Sequence, residues 1–264
     1  MALRRPALSW EVSLWTRREE SLPAVKKALP GCRVSCDLKA AVEGADLVVL
    51  CTSPHAIENS GDRLAEWLPA STPVTDAGSV KARIVASLEK SLGGRFIGAH
   101  PMAGSEQSGI SAAHPDLFEG AVCILTPTPQ SDPWALEAVR AFWKDVGCRL
   151  REMSPGLHDL AVARISHLPH AAAAALVVAA LSKNPDLAGL AGSGYRDSTR
   201  VALGPEELWR EIFLDNREEL LSGISDLQIS LETLKNALSR GDGEAIEAFL
   251  RESRSLRSHE NQPE

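Results

Sequence analysis

No uninterrupted apolar run in this 264-residue chain is longer than eleven residues, Ala171 to Leu181. A bilayer-spanning helix needs about 20 such residues, so that run reads as a buried helix and no membrane partner is expected. No charged-then-apolar leader opens the chain either, because Met1-Ala2-Leu3-Arg4-Arg5-Pro6 meets a proline at once. Positive charge is in deficit: 28 Lys and Arg against 35 Asp and Glu give a net charge of −7. That argues against a nucleic-acid partner, which calls for a basic face, while leaving room for a local pocket that holds a small anion. Cysteine is sparse, odd in number and scattered, at Cys32, Cys36, Cys51, Cys123 and Cys148. Cys32 and Cys36 have no second pair or histidine nearby to complete a zinc site. Cys51 and Cys123 lie in apolar runs, where cysteine usually behaves as a small core side chain. A reducing, cytoplasmic setting is the simplest expectation. Internal repeats and low-complexity tracts are also lacking. What remains, 44% apolar and 24% charged residues, is ordinary for a globular protein of one or two domains.

The first 150 or so residues alternate short β-type runs with helical stretches. Strands are expected at Glu11–Trp15, Cys32–Cys36, Asp46–Thr52, Pro73–Asp76, Arg95–Ile97 and Ala121–Thr126. Helices are expected at Ser21–Leu29, Leu38–Val42, Ala56–Leu68, Val80–Leu92 and Pro133–Val146. Asp46–Thr52 is the kind of continuous apolar run that a parallel sheet buries on both faces. The alternation predicts an α/β domain with a mostly parallel, doubly wound sheet. From Ser154-Pro155-Gly156 onward no strand is convincing, and helices are expected over Leu157–Leu181, Pro205–Arg240 and Gly243–Arg257. The reading is two domains: residues 1–153, α/β, and residues 154–264, all-helical.

Four polar clusters stand out from this background. Gly98-Ala99-His100-Pro101-Met102-Ala103-Gly104-Ser105-Glu106 brings an imidazole, a hydroxyl and a carboxylate together just after a strand, where α/β enzymes keep their chemistry. In Asp76-Ala77-Gly78-Ser79-Val80-Lys81, Ser79 either caps the next helix or presents its hydroxyl to a cofactor at the carboxyl edge of the sheet. His158-Asp159 and Ser166-His167-Leu168-Pro169-His170 open the helical half. Three histidines invite a metal, but no carboxylate completes a known ligand pattern, so hydrogen bonding to an anionic substrate is favoured. Gly194-Tyr195-Arg196-Asp197-Ser198-Thr199-Arg200 supplies two arginine forks of the kind that grip carboxylates, with Trp209 nine residues further on.

In this order and across both halves, the four clusters resemble the prephenate dehydrogenase family, which includes arogenate dehydrogenases. The resemblance implies a Rossmann-type domain followed by a helical dimerisation domain, hence a homodimer, and the NAD(P)-dependent oxidative decarboxylation of prephenate or arogenate in tyrosine biosynthesis. His100 would take the proton of the C4 hydroxyl, and Ser79 would hold His100 or the nicotinamide edge in place. Arg200 would clamp a substrate carboxylate, with Asp197 orienting an arginine. Ser105, Glu106, Ser166, His170 and Trp209 would line the substrate pocket. Thr16, Arg17, Arg18, Thr52, Ser53 and Ser79 would meet the cofactor. No metal is implied. The alternative kept beside this is a dimeric prephenate- or tyrosine-binding protein without turnover.

One family element is missing from the sequence: a first strand with a Gly-x-Gly-x-x-Gly turn for the cofactor pyrophosphate. Either the protein extends further upstream, which is the favoured expectation, or the fold does without that strand. The strand ending Trp15-Thr16-Arg17-Arg18 carries no acid at its end. Such an acid would bond the ribose 2′-hydroxyl of NAD, so NADP is favoured and NAD kept possible. Arg17 and Arg18 also have a plainer use, pairing with Glu19 and Glu20 on a solvated helix start.

Overall fold

The computed structural model describes residues 2–4, 10–104, 109–110 and 113–258. The chain divides into two compact units, Met1–Arg217 and Glu218–Glu264. The division falls inside the helical half and not at Ser154.

The first unit is built on two sheets. β1 (Ser13–Trp15) and β2 (Arg33–Ser35) pair in parallel. They frame α1 (Leu22–Ala28), and α2 (Leu38–Val42) follows, its first turn capped by the Asp37 carboxylate. The second sheet has five strands in sequence order: β3 (Val48–Leu50), β4 (Val74–Asp76), β5 (Phe96–Pro101), β6 (Val122–Thr126) and β7 (Arg149–Glu152). All its neighbours are parallel except β5 and β6. A cavity of about 900 Å³ lies between the two sheets, lined by Ser13, Leu14 and Trp15 on one side and Val48, Val49 and Leu50 on the other. β3 is therefore not buried on both faces as expected: only Val48 is buried, and Cys51 just beyond it is exposed. Cys123, in β6, is a fully buried core residue.

Strand alternation sorts the core into two layers. Phe96 joins Val74, Ile84, Val85 and Leu88 beneath α3 (Pro54–Glu58), α4 (Gly61–Trp67) and α5 (Ala82–Leu92). Ile97 and Ala99 point the other way, onto Val139, Phe142 and Trp143 of α6 (Pro133–Val146). Gly98 lies on the α5 face, where a Cβ would come within 2.5 Å of Thr126 Oγ1 and 2.7 Å of Val85 Cγ2. The missing side chain lets α5 close down on the strand. By the same alternation His100 emerges on the α5 face. It lies within β5, opposite Ile124, and not in a turn after a shorter strand as the sequence suggested.

The helical part begins with α7 (Pro155–Val162), capped by Ser154 and followed by a π-turn over Ala163–His167 and α8 (Leu168–Leu181). The Leu168 amide donates to Ala163 O, five residues back. The wider turn makes room ahead of Pro169, which has no N–H and whose ring would crowd the carbonyl four residues earlier. By length and composition this 27-residue helix could cross a membrane, more than the eleven-residue run suggested. Its α7 end and π-turn, however, bury His158, Asp159 and His167 among polar partners. Leu176 and Val178 are exposed further along α8. α9 (Ser193–Thr199) and α10 (Glu206–Asp215) follow, and Ile212 of α10 enters the core under α5. The helix expected over Pro205–Arg240 breaks at Asn216, where α11 (Arg217–Ser239) begins. In the second unit, α11 ends in a left-handed Gly241 (φ 63°), Asp242 caps α12 (Gly243–Ser258), and Ile229, Leu231, Leu238, Leu250 and Leu256 are exposed.

Candidate active site

β4 ends in Asp76, whose carboxylate is fully buried and fully used. Oδ1 accepts from the Ala99 amide at 2.9 Å, and Oδ2 accepts from the Gly78 amide at 2.9 Å and from the Lys81 ammonium. The adjacent strand is thereby pinned one residue before His100. Burial pulls the Lys81 amine below its ordinary range, against the attraction of Asp76. α5 starts after Lys81, so Ser79 is not its cap. The cap comes from α7: Asp159 Oδ1 and Oδ2 accept from the Lys81 and Ala82 amides, each at 2.8 Å.

Asp159 Oδ1 also lies 2.8 Å from His158 Nδ1, and His158 Nε2 lies 2.9 Å from His100 Nδ1. His158 is wholly buried and His100 8% exposed. Burial holds His100 well below the usual histidine range, helped by His158 and Lys81, and also lowers His158. His100 is therefore neutral near pH 7. Its Nε2 makes no hydrogen bond among the described residues.

A second wall comes from the π-turn and α8. Asn216 Nδ2 donates to Asp159 O at 2.7 Å and to His167 Nδ1 at 3.2 Å. The His167 proton then belongs on Nε2, which is buried with no partner. Burial pushes this histidine down to about 4. His170 stacks on Trp209 with ring centroids 3.5 Å apart at 17°, and Phe213 closes the cluster at 5.8 Å from His170. His170 Nδ1 and the Tyr195 hydroxyl are likewise buried without partners. Gly204 sits against the stack; a Cβ there would come within 2.4 Å of Trp209 Nε1. Two unsatisfied ring nitrogens, of His167 and His170, in one aromatic wall suit a polar ligand, since a buried group left unpaired is costly.

Of the residues expected to line the site, His100, His170 and Trp209 occupy these walls. Ser166 is half-buried in the π-turn, and Arg200 is exposed just after α9. Asp197 is exposed and forms no ion pair among the described residues, so it does not orient an arginine here. Ser79 does not hold His100; His158 does. Ser105 and Glu106 lie outside the described residues. Thr52 and Ser53 follow β3, Ser79 follows β4, and Thr16, Arg17 and Arg18 follow β1, all along the carboxyl edges of the strands. Ser53 stands at the start of α3 without capping it. The hydroxyls of Thr52, Ser53 and Ser79 have no hydrogen bond among the described residues, which fits the ribose and carboxamide groups of a nicotinamide nucleotide. No group of three His, Cys, Asp or Glu among the described residues could hold a metal ion. Sequence reasoning gives no role to Lys81, Asp159 or Asn216, and takes His158 and His167 only as members of a histidine cluster suited to an anionic substrate. The adjacent His158-Asp159 pair was the one visible signal.

Comparison with known proteins bears on this geometry directly. Residues 2–152 match the family model for the nucleotide-binding domain of prephenate dehydrogenase, and residues 154–252 match the model for its dimerization domain. The chain belongs to the prephenate dehydrogenase family. It is accordingly a nicotinamide-dependent oxidoreductase of tyrosine biosynthesis. It is 32% identical to the cyclohexadienyl dehydrogenase of Zymomonas mobilis over 252 residues, 93% of this chain and 86% of that protein. Among solved structures, prephenate dehydrogenase from Aquifex aeolicus in complex with hydroxyphenyl propionate and NAD+ superposes with a TM-score of 0.88 at 34% identity, covering 98% of this chain and 92% of that one. Synechocystis arogenate dehydrogenase gives 0.78 at 30% identity, covering 98% and 93%.

Proposed function

We propose that the chain catalyses the oxidative decarboxylation of a cyclohexadienyl acid, prephenate or arogenate, with NADP+ preferred and NAD+ accepted. The observation that carries this is His100: a neutral, buried imidazole with one nitrogen held by His158 and the other free among the described residues. Such a base takes the C4 hydroxyl proton at Nε2 as the C4–O bond becomes a carbonyl. The ring carboxylate leaves as carbon dioxide, the electrons of that C–C bond complete the aromatic ring, and the C4 oxygen takes back the proton to become the phenol. Bound nicotinamide supplies the acceptor for the hydride leaving C4. His170 and Trp209 pack the ring, and Arg200 pairs with a substrate carboxylate. Ser79, Thr52 and Ser53 position the nicotinamide end, and Thr16, Arg17 and Arg18 receive the 2′-phosphate. Residues 1–153 form the nucleotide-binding domain of a cytoplasmic enzyme and residues 154–264 the substrate and dimerisation domain. The exposed apolar residues of α8, α11 and α12 supply the contact with a second copy.

The test is reduction of NADP+ and of NAD+ by the purified chain with prephenate and with arogenate, followed by absorbance of the reduced nicotinamide. Turnover with either acid, faster with NADP+, is expected. A folded protein that binds prephenate but reduces neither nucleotide overturns the reading in favour of a binding protein without turnover.

A further inference from the structure

The Asp159–His158–His100 chain does more than fill space. Asp159 Oδ1 is an acceptor only, so the 2.8 Å contact to His158 Nδ1 places a proton on that nitrogen. Neutral His158 then has a lone pair on Nε2, and the 2.9 Å contact to His100 Nδ1 requires the His100 proton to lie on Nδ1. What is left on His100 is a lone pair on Nε2, the nitrogen that is free among the described residues. Each step follows from the one before. The Asp159 carboxylate is itself fixed in place by the Lys81 and Ala82 amides, from which it accepts.

We propose that His158 is a positioning residue, anchored by Asp159, that fixes His100 in the tautomer able to accept the substrate proton. It also steadies the positive charge that forms there. When His100 Nε2 gains the proton, its Nδ1–H becomes a stronger donor to His158, whose own Nδ1–H strengthens toward Asp159. No proton need leave His100 during the step, and no oxidant or reductant is involved. Other charged groups near the ring pair are Lys81 and Asp76 from the β4–α5 side, and His167 from the π-turn. Lys81 is matched by Asp76, and His167 is neutral, so neither replaces Asp159 as the anchor. The proposal deepens the dehydrogenase reading, and its first readout does not depend on turnover.

The experiment is nitrogen NMR of the full protein with labelled histidine, beside steady-state kinetics, for wild type, His158→Phe and His158→Gln. In wild type the His100 signals should show the proton on Nδ1. In His158→Phe, which keeps the ring volume but offers no acceptor, that preference should be lost. kcat should then fall about 100-fold, the lower end of what a placed general base contributes, with KM for prephenate within about threefold. His158→Gln can accept from His100 and donate to Asp159. It should keep the Nδ1–H form and lose no more than about tenfold in kcat, and it decides the matter if His158→Phe does not fold. A wild-type proton on Nε2, or a His158→Phe protein with unchanged tautomer and kcat, overturns the proposal. So does a folded His158→Gln protein as impaired as His158→Phe. A wild type with the expected tautomer but no turnover overturns the functional reading and leaves the relay standing.

Discussion

Gly204→Ala tests whether the His170–Trp209 stack forms the substrate wall. The backbone at Gly204 (φ −63°, ψ 154°) suits any residue, so the only obstacle to a methyl group is space. An ideal Cβ would lie 2.4 Å from Trp209 Nε1, 2.9 Å from its Cδ1 and 3.2 Å from His170 Cε1. Relaxed heavy-atom contacts are about 3.5–4.0 Å, so the indole must retreat by roughly 1 Å. It cannot do so freely, because His170 stacks on it at 3.5 Å and Phe213 meets it edge-on at 5.6 Å. Overpacking of this kind costs about 1–3 kcal/mol of stability. A displacement of about 1 Å in a positioning group can cost up to ~100-fold in rate. We expect kcat/KM for prephenate to fall about 10- to 100-fold, mainly through KM, because the wall binds substrate and transition state alike. Gly192→Ala is the control, since nothing lies within 4 Å of a Cβ there. Steady-state kinetics and a thermal melt on both variants decide the matter. A Gly204→Ala protein within about twofold of wild type, the spread of a neutral surface change, refutes the assignment.

Other expectations are as direct. His167, His158, His170 and His100 all have lowered values in the folded state, so below the ordinary histidine value the unfolded chain binds more protons. Stability is full near pH 7 and is lost as pH falls from about 6.5 toward 4; with His167 at about 4, that residue alone accounts for about 2 kcal/mol by pH 5. Melting temperatures unchanged between pH 7 and pH 5 would contradict the burial of these rings. The same lowering keeps His100 in its base form, so kcat/KM should hold level through pH 6.5 and fall only well below it; a midpoint at 6.5 would point to a solvent-exposed base. Lys81→Met leaves the Asp76 charge buried without its partner and should cost about 3–5 kcal/mol, a fall in melting temperature of roughly 10 °C for a chain of this size. A drop under about 3 °C would mean that the pair contributes little. Arg17→Glu should reduce kcat/KM for NADP+ by at least about tenfold, the loss of one charge-assisted contact, while sparing NAD+; equal loss with both nucleotides would remove Arg17 from the 2′-phosphate site.

Much of this architecture could be read locally. α6 matches its expected span residue for residue, because Pro133 opens it and a left-handed Gly147 (φ 106°) closes it. The sequence suggests too short a β5 because Gly98 reads as a break, whereas its bareness is a packing requirement imposed by Thr126 and Val85. β7 escaped because Arg149-Leu150-Arg151-Glu152 is a polar edge strand with no apolar alternation. At the site, His100 was legible from its motif, but its partner lies 58 residues away and carries no periodicity that points back to it. Ser79 was open to reading as a cap because the true cap, Asp159, arrives from another helix. Asn216 was invisible inside a long helical pattern, although the break there is what sends its amide to Asp159 and His167. Apart from β7, contacts made across the fold, and not local propensity, account for these differences.

The separation of β1 and β2 from the main sheet has a consequence for how this enzyme can change over generations. Neither strand buries a residue, nor does α1, whereas all six positions of β5 are buried. Arg17 and Arg18 thus sit on the part of the α/β fold with the least interior to disturb. Substitutions there cost little stability, since exposed positions away from packing typically shift it by no more than about 0.5 kcal/mol. His100, by contrast, is locked among Asp76, Lys81, His158 and Asp159, where nearly any exchange is destabilising. With Arg17 and Arg18 as the proposed 2′-phosphate site and His100 as the proposed base, nucleotide preference is a trait that lineages carrying this fold could drift in at little cost in stability, while the His100 centre could not.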